Sequence, residues 1–200
     1  MAGRELLLHV EGISETPRHY RFEAGGGFLA EAGARCVELR EGVEAPPVFE
    51  LTAHRAGADL VLEGVARAEV SFTCGRCLTR YRGALREPFR LVLEPAGERV
   101  PAEPEAARLL ERDGMCLGDE LEAGWFRGPR LDLSEFFHEV LALALPVQPV
   151  CDEGCRGLCP GCGIDRNREV CACEDRRPSS PFADLAGLKL GGGGTPRGGS

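Results

Sequence analysis

The sequence predicts an α+β protein: an antiparallel β-sheet or partly open barrel, one core helix and a small cysteine-rich zinc-knuckle module. Three observations carry this. The first half alternates apolar and polar residues between Gly and Pro turn signals, the period of half-buried strands. One later stretch, 131–145, repeats its apolar residues at helical spacing. Then six cysteines fall within residues 151–173. A length of 200 residues, 43% of them hydrophobic, suits one medium domain with a small appendage.

Residues 1–93 form the predicted β-rich domain. Glu5–Val10 opens it, Tyr20–Glu23 alternates, and Val48–Ala53 follows Pro46-Pro47. Residues 59–72 supply a strand or two, and Phe89–Leu93 another. Gly25-Gly26-Gly27 and Ala56-Gly57-Ala58 read as turns. Short strands with such turns predict an antiparallel sheet or an open barrel. Residues 94–130 read as an acidic connection. From Glu94 to Gly124 nine carboxylates face three arginines, and Pro95, Pro101 and Pro104 interrupt the start. A turn or two of helix near 105–112 fits; the rest reads as a solvated, mobile link.

Residues 131–190 are predicted to hold the core helix and the metal module. Leu133, Phe136, Phe137, Val140, Leu141 and Ala144 share one helical face. Asp132 is placed to cap it, with Glu135 three residues on, and Pro146 stops it. Pro178–Leu190 reads as a short docking segment, and 191–200 as a disordered Gly-rich tail.

A net charge of -8 excludes a chain coated with positive charge for non-specific nucleic-acid binding, while allowing a local basic face. Lys189 is the only lysine. That skew fits a GC-rich genome, and arginine also suits bidentate phosphate contact. The longest apolar run, Val140–Val147, is far short of a membrane span. Leu6-Leu7-Leu8 is too short for a secretion signal and Glu11 interrupts it, which predicts a cytoplasmic chain. Ten cysteines in a reducing compartment predict metal or redox chemistry rather than a disulfide framework.

The cluster runs Cys151-x3-Cys155-x3-Cys159-x2-Cys162-x8-Cys171-x-Cys173. Two thiolates two residues apart converge on one ion when the chain turns tightly. Pro160 presets that turn, and Gly163 accepts the positive φ it needs. Zinc takes four such ligands, tetrahedrally. Cys171 and Cys173 are the natural second pair for Cys159 and Cys162, with Cys151 and Cys155 the rival pair. Four thiolates close the ion, so a structural role is predicted over catalysis. His9, His19, His54 and His138 all lie outside the cluster. Cys36 and Cys116 stand alone and read as ordinary thiols.

Cys74-Gly75-Arg76-Cys77-Leu78 follows an alternating strand. Three readings compete: a second metal half-site completed by downstream cysteines, a C-x2-C redox pair, or a packed turn. The redox motif belongs at a helix N-terminus, and this flank reads as strand. Around it the charge turns positive: Arg76, Arg80, Arg82, Arg86 and Arg90 face one acid, Glu87. Arg80, Arg82, Arg86 and Arg90 share parity, with Tyr81 and Phe89 among them. Such a face suits RNA phosphates and base stacking. It equally suits a solvated outer sheet face.

Together, Cys74-x-Arg76-Cys77-Leu78, the helix ending Leu143-Ala144-Leu145-Pro146, and Cys155-Arg156-Gly157-Leu158-Cys159-Pro160-Gly161-Cys162-Gly163 resemble the YceD family, the large ribosomal RNA subunit accumulation proteins. The likeness covers about residues 5–190. It departs at Asp175-Arg176-Arg177-Pro178, where many members have Asp-Pro-Arg, and at Ile164-Asp165-Arg166-Asn167. The resemblance implies a non-catalytic factor in large ribosomal subunit biogenesis. Its expected partner is large-subunit ribosomal RNA, a pre-ribosomal particle or a ribosomal protein. The alternatives are a thiol-disulfide protein using Cys74 and Cys77, and a zinc-stabilised protein-protein adaptor using the acidic stretch.

Overall fold

The computed structural model describes residues 6–35, 39, 42–118 and 122–173. Cys36, the Pro178–Leu190 segment and the 191–200 tail lie outside the described residues. The fold is α+β, with open sheets. Strands β1 (Leu7–His9), β2 (Arg18–Glu23), β3 (Val48–Ala56), β4 (Asp59–Thr73), β5 (Arg80–Pro95), β6 (Met115–Leu117), β7 (Ala123–Phe126) and β8 (Arg130–Asp132) accompany three helices whose bounds lie among the described residues. These are α1 (Gly26–Arg35), α2 (Pro104–Asp113) and α3 (Ser134–Ala144). The six-stranded sheet has the order β2-β3-β4-β5-β7-β6, and β1 pairs β8 separately.

The period-two pattern becomes three long antiparallel strands. Residues 59–72 form one strand rather than two, because β4 pairs without a break against both β3 and β5. The 80–88 stretch, between the cysteine turn and Phe89–Leu93, extends β5 to 16 residues. On its inner side Leu85, Phe89, Leu91 and Leu93 are buried, and its arginines face out.

Two expectations are corrected. Gly25-Gly26-Gly27 is not simply a turn: α1 begins at Gly26, and Phe28 and Ala32, one turn apart, are buried in the core. The described residues of the 94–130 stretch are not a structureless link. They form α2, capped at its end by left-handed Gly114, then β6 and β7, with β7 running parallel to β5. Glu94, Glu98, Glu103, Glu105, Glu111 and Glu122 are exposed, while a few residues (Leu110, Cys116, Phe126) enter the interior. Charge counting sees the former and not the latter.

The core helix is present, shortened to Ser134–Ala144. Leu131 belongs to β8, paired with Leu8, so the chain enters the helix from a strand. Asp132 turns that entry one residue early, accepting from the Ser134 backbone N–H at 3.0 Å and its hydroxyl at 2.6 Å. Phe136, Phe137, Val140 and Leu141 are buried against β4 and β5. Phe137 stacks on Phe49 at 3.9 Å between centroids, and Phe136 meets Phe89 edge-on at 5.4 Å. Each such side chain contributes about 1.5–3 kcal/mol by burial. His138 is also buried, its Nε2 3.1 Å from the Phe28 carbonyl oxygen and its ring stacked on Phe28. That is a packing role.

Candidate metal centres

Long β4 and β5 place their connecting turn, Cys74–Thr79, at one end of the sheet. The Cys74 N–H donates to the Thr79 carbonyl at 2.9 Å, and the Leu78 N–H to the Cys74 carbonyl at 2.9 Å. The Arg76 N–H points at Cys74 Sγ, 3.4 Å away. Eighty-five residues later in number, Cys159–Ile164 repeats the pattern. The Cys159 N–H donates to the Ile164 carbonyl at 2.8 Å, and the Gly163 N–H to the Cys159 carbonyl at 2.8 Å. The Gly161 N–H lies 3.4 Å from Cys159 Sγ. In both turns the residue after the second cysteine has positive φ: +75° at Gly163 and +59° at Leu78.

Each turn gathers a second pair of thiols. Cys74 and Cys77 meet Cys151 and Cys155, whereas Cys159 and Cys162 meet Cys171 and Cys173. Within each group all four sulfurs lie within 4.8 Å of one another. Cys74–Cys155 is 3.9 Å and Cys77–Cys151 3.7 Å; Cys162–Cys171 is 3.4 Å and Cys171–Cys159 3.2 Å. A tetrahedral ion with Zn–S bonds near 2.3 Å holds its sulfurs about 3.8 Å apart. A disulfide needs about 2.05 Å. The donor sets therefore fit metal ions, and all eight cysteines are free. Each group could hold one.

The electrostatics of the bare thiols point the same way. Backbone N–H groups of Cys77 and Cys151 turned on Cys74 bring its thiol down to about 6. The Cys162 backbone N–H, then Cys171, bring Cys159 down to about 6. Burial first, then crowding by Cys77, Cys74 and Cys155, pushes Cys151 up to about 12. Crowding by Cys171 and Cys162 pushes Cys173 up to about 12. Hydrogen bonds from Thr79 lower Cys77 as well, so the sheet group favours thiolates at Cys74 and Cys77 and the loop group one at Cys159, and both resist the accumulation of four. A bound dication removes that resistance.

The sequence reading named all eight cysteines and left the pairing open. The structure joins Cys151 and Cys155 to the sheet turn rather than to Cys159 and Cys162. Three supporting residues carried no such signal. Arg76, read as part of the basic face, stays exposed but reaches across to the C-terminal loops: its Nη1 donates to the carbonyls of Glu153 at 2.9 Å and Cys155 at 3.1 Å. Its own carbonyl accepts the Leu158 N–H at 3.0 Å. Asn167, in the loop of the second group, sends Nδ2 to Cys155 Sγ of the first at 3.3 Å. Its Oδ1 accepts the Arg156 N–H at 2.7 Å. A Cβ on Gly157, at φ +68°, would meet the Arg76 carbonyl oxygen at 3.0 Å, so this crossing admits only glycine without adjustment.

Arg80, Arg82, Arg86 and Arg90 do share the exposed face of β5. Arg82 pairs with Glu44 at 2.7 Å and Arg90 with Glu63 at 2.8 Å. Arg80 and Arg86 have no carboxylate partner among the described residues. Tyr81 and Phe89 sit on the opposite parity, toward the core, and do not join the arginines. Neighbouring strands add Arg21, Glu50 and Arg67, linked in one ion-pair network. The outer face is thus of mixed charge.

The fold and its sites define a class: an open-sheet α+β protein whose hairpin tip and C-terminal loops form two four-cysteine groups able to hold metal. Residues 62–189 match the family described as "Large ribosomal RNA subunit accumulation protein YceD". The chain belongs to the YceD family. A protein of Arabidopsis thaliana named "Large ribosomal RNA subunit accumulation protein YCED homolog 1, chloroplastic" is 23% identical over 149 residues, 65% of this chain and 44% of its own. Its namesake in Zea mays is 22% identical over 167 residues, 76% of this chain and 54% of its own. A Mycobacterium tuberculosis protein, named as uncharacterized, is 27% identical over 120 residues, 58% of this chain and 49% of its own. The chain thus spans about half the length of the curated relatives it matches. No solved structure matches significantly. Among the described residues no helix is long and apolar enough to cross a membrane.

Proposed function

We propose that this protein is a non-catalytic, cytoplasmic factor in large ribosomal subunit biogenesis that promotes accumulation of large-subunit ribosomal RNA. Membership of the YceD family is the observation that carries this reading. Zinc fits the eight thiols as a structural ion, since four sulfurs fill its coordination shell and leave no position for water. Contact with RNA falls to Arg80, Arg82, Arg86 and Arg90. The ion pairs of Arg82 and Arg90 are exposed, and such pairs contribute about 0–1 kcal/mol, so phosphate competes with them readily. Arg76 acts in this reading as a clasp for the C-terminal loops.

The test is direct. Cells deprived of the protein are complemented with the wild-type chain or with Arg80→Glu/Arg82→Glu/Arg86→Glu, and large-subunit RNA is quantified. The wild type restores it, and the variant loses co-sedimentation with pre-ribosomal particles. Restoration and co-sedimentation by the variant would remove the arginine face from the mechanism.

A second reading, a thiol-disulfide protein, is favoured by the low position of Cys74. Metal analysis with thiol counting separates the two. Two ions per chain and protected thiols support the structural reading. No metal, with turnover on a disulfide substrate, supports the redox reading.

A further inference from the structure

Far from the cysteine groups, α2, β6, β7 and the start of α3 enclose a groove of about 540 Å³. Its wall includes Gly124, paired with Leu93, whereas the hairpin tip follows the Thr73–Arg80 pair. Thirteen residues of β5 separate the two, roughly 40 Å of strand. The floor is apolar, built from Leu109, Met115, Trp125 and Phe136. The rim is Glu103, Glu105, Asp113, Asp132, Glu135 and Glu139, and among the described residues no arginine or lysine lines it. Asp113 already holds Arg112 at 2.7 Å, and Asp132 accepts from Ser134. Glu103 and Glu105, at the start of α2, have no cationic partner among the described residues. The Trp125 ring carries the Arg99 guanidinium 4.6 Å from its centroid, the contact an incoming arginine would make.

We propose that this groove docks a basic peptide segment of another protein, with an apolar side chain on the floor and arginines or lysines along the rim. Charge selects the occupant. An apolar channel whose rim carries Glu103 and Glu105 without a cationic partner among the described residues disfavours acidic surfaces and attracts a cationic amphipathic one. The chain's own residues 174–200 complement it poorly, with four basic residues against three acids, and they follow Cys173 in the distant cysteine module. The inference deepens the partner half of the proposed function. Peptide binding can fail while RNA contact at the arginine face stands, and the reverse.

Trp125 is the only tryptophan, so its emission reads the groove directly. The full chain is titrated with a short synthetic peptide carrying arginines on either side of a Leu-Phe pair. A control peptide carries glutamates in place of the arginines. The basic peptide is expected to give a saturable emission change that weakens by about tenfold when salt is raised to screen the rim. Glu103→Gln/Glu105→Gln, both on an exposed first turn, is expected to weaken it by about tenfold with an unchanged circular dichroism spectrum. No emission change, or an equal response to the acidic control, overturns the proposal. So does a Trp125 already shielded from quencher without peptide and released by Leu185→Asp/Leu188→Asp, which would make the chain's own C-terminal segment the occupant.

Discussion

At the sheet end, Cys74–Leu78 closes a group whose other two sulfurs lie more than seventy residues away, and Cys74, Cys77 and Cys155 are buried. In the C-terminal loops, Cys159–Gly163 closes a group complete within 15 residues, and Cys162 and Cys173 are exposed. The turns themselves are near copies in hydrogen bonding. One turn therefore serves two ends. The long-range group fastens the C-terminal module to the sheet, where the Gly75 N–H also meets the Pro149 carbonyl at 2.8 Å. The local group shapes its own loops, from which Asn167 reaches the sheet group at Cys155. The difference lies in loop closure. A cross-link over a long stretch of chain restricts the unfolded state more than a short one.

The largest expected effect tests that contrast. Cys74→Ser should lower the metal content from two ions to one and free the C-terminal loops. A loss of about 3 kcal/mol corresponds to a fall of roughly 6–12 °C in thermal midpoint for a chain this size. Cys162→Ser should also lose one ion, yet move the global midpoint by less than about 3 °C while opening residues near 159–173 to protease. Equal shifts from the two variants would break the comparison.

Smaller effects sharpen it. Arg76→Ala removes two charge-assisted hydrogen bonds to the loop holding Cys155 and should cost about 2–3 kcal/mol. Metal release to a chelator should then speed up at the sheet group and stay unchanged at the loop group. Asn167→Ala takes a donor from Cys155 and should loosen the sheet group's metal by about tenfold, although Asn167 sits in the other group's loop. The smallest effect falls at the matched positive-φ residues. Leu78→Gly should stabilise by about 1 kcal/mol and Gly163→Ala destabilise by a similar amount, both read by thermal melts.

The two cysteine turns were legible in sequence because C-x2-C spacing is local: it dictates a tight turn with two converging thiols. The partners of each turn were not legible. Cys151 and Cys155 stand eight and four residues before Cys159, but their sulfurs go to Cys77 and Cys74. That choice depends on where α3 delivers Pro149 relative to the β4–β5 tip. Parity along β5 placed four arginines on one face, and it held because the strand runs unbroken for 16 residues. Parity could not say that Arg76, on the turn, would reach across to the loop of Cys155.

The acidic 94–130 stretch gives the same lesson from the other side. Its charges mark surface, but Leu93 and Pro95 of β5 leave an edge that β7 covers in parallel. A parallel partner returns after a crossover and leaves no short-range signature. By itself the sequence determined the strand faces of β3 to β5, the apolar face of α3 and the two cysteine turns, since each follows from spacing over a few residues. Only the tertiary structure decided the pairing of sulfurs, the clasp of Arg76 on the C-terminal loops, the bridge from Asn167 and the closing of an acidic groove over Trp125. Those depend on which distant segments the common core brings within hydrogen-bonding distance.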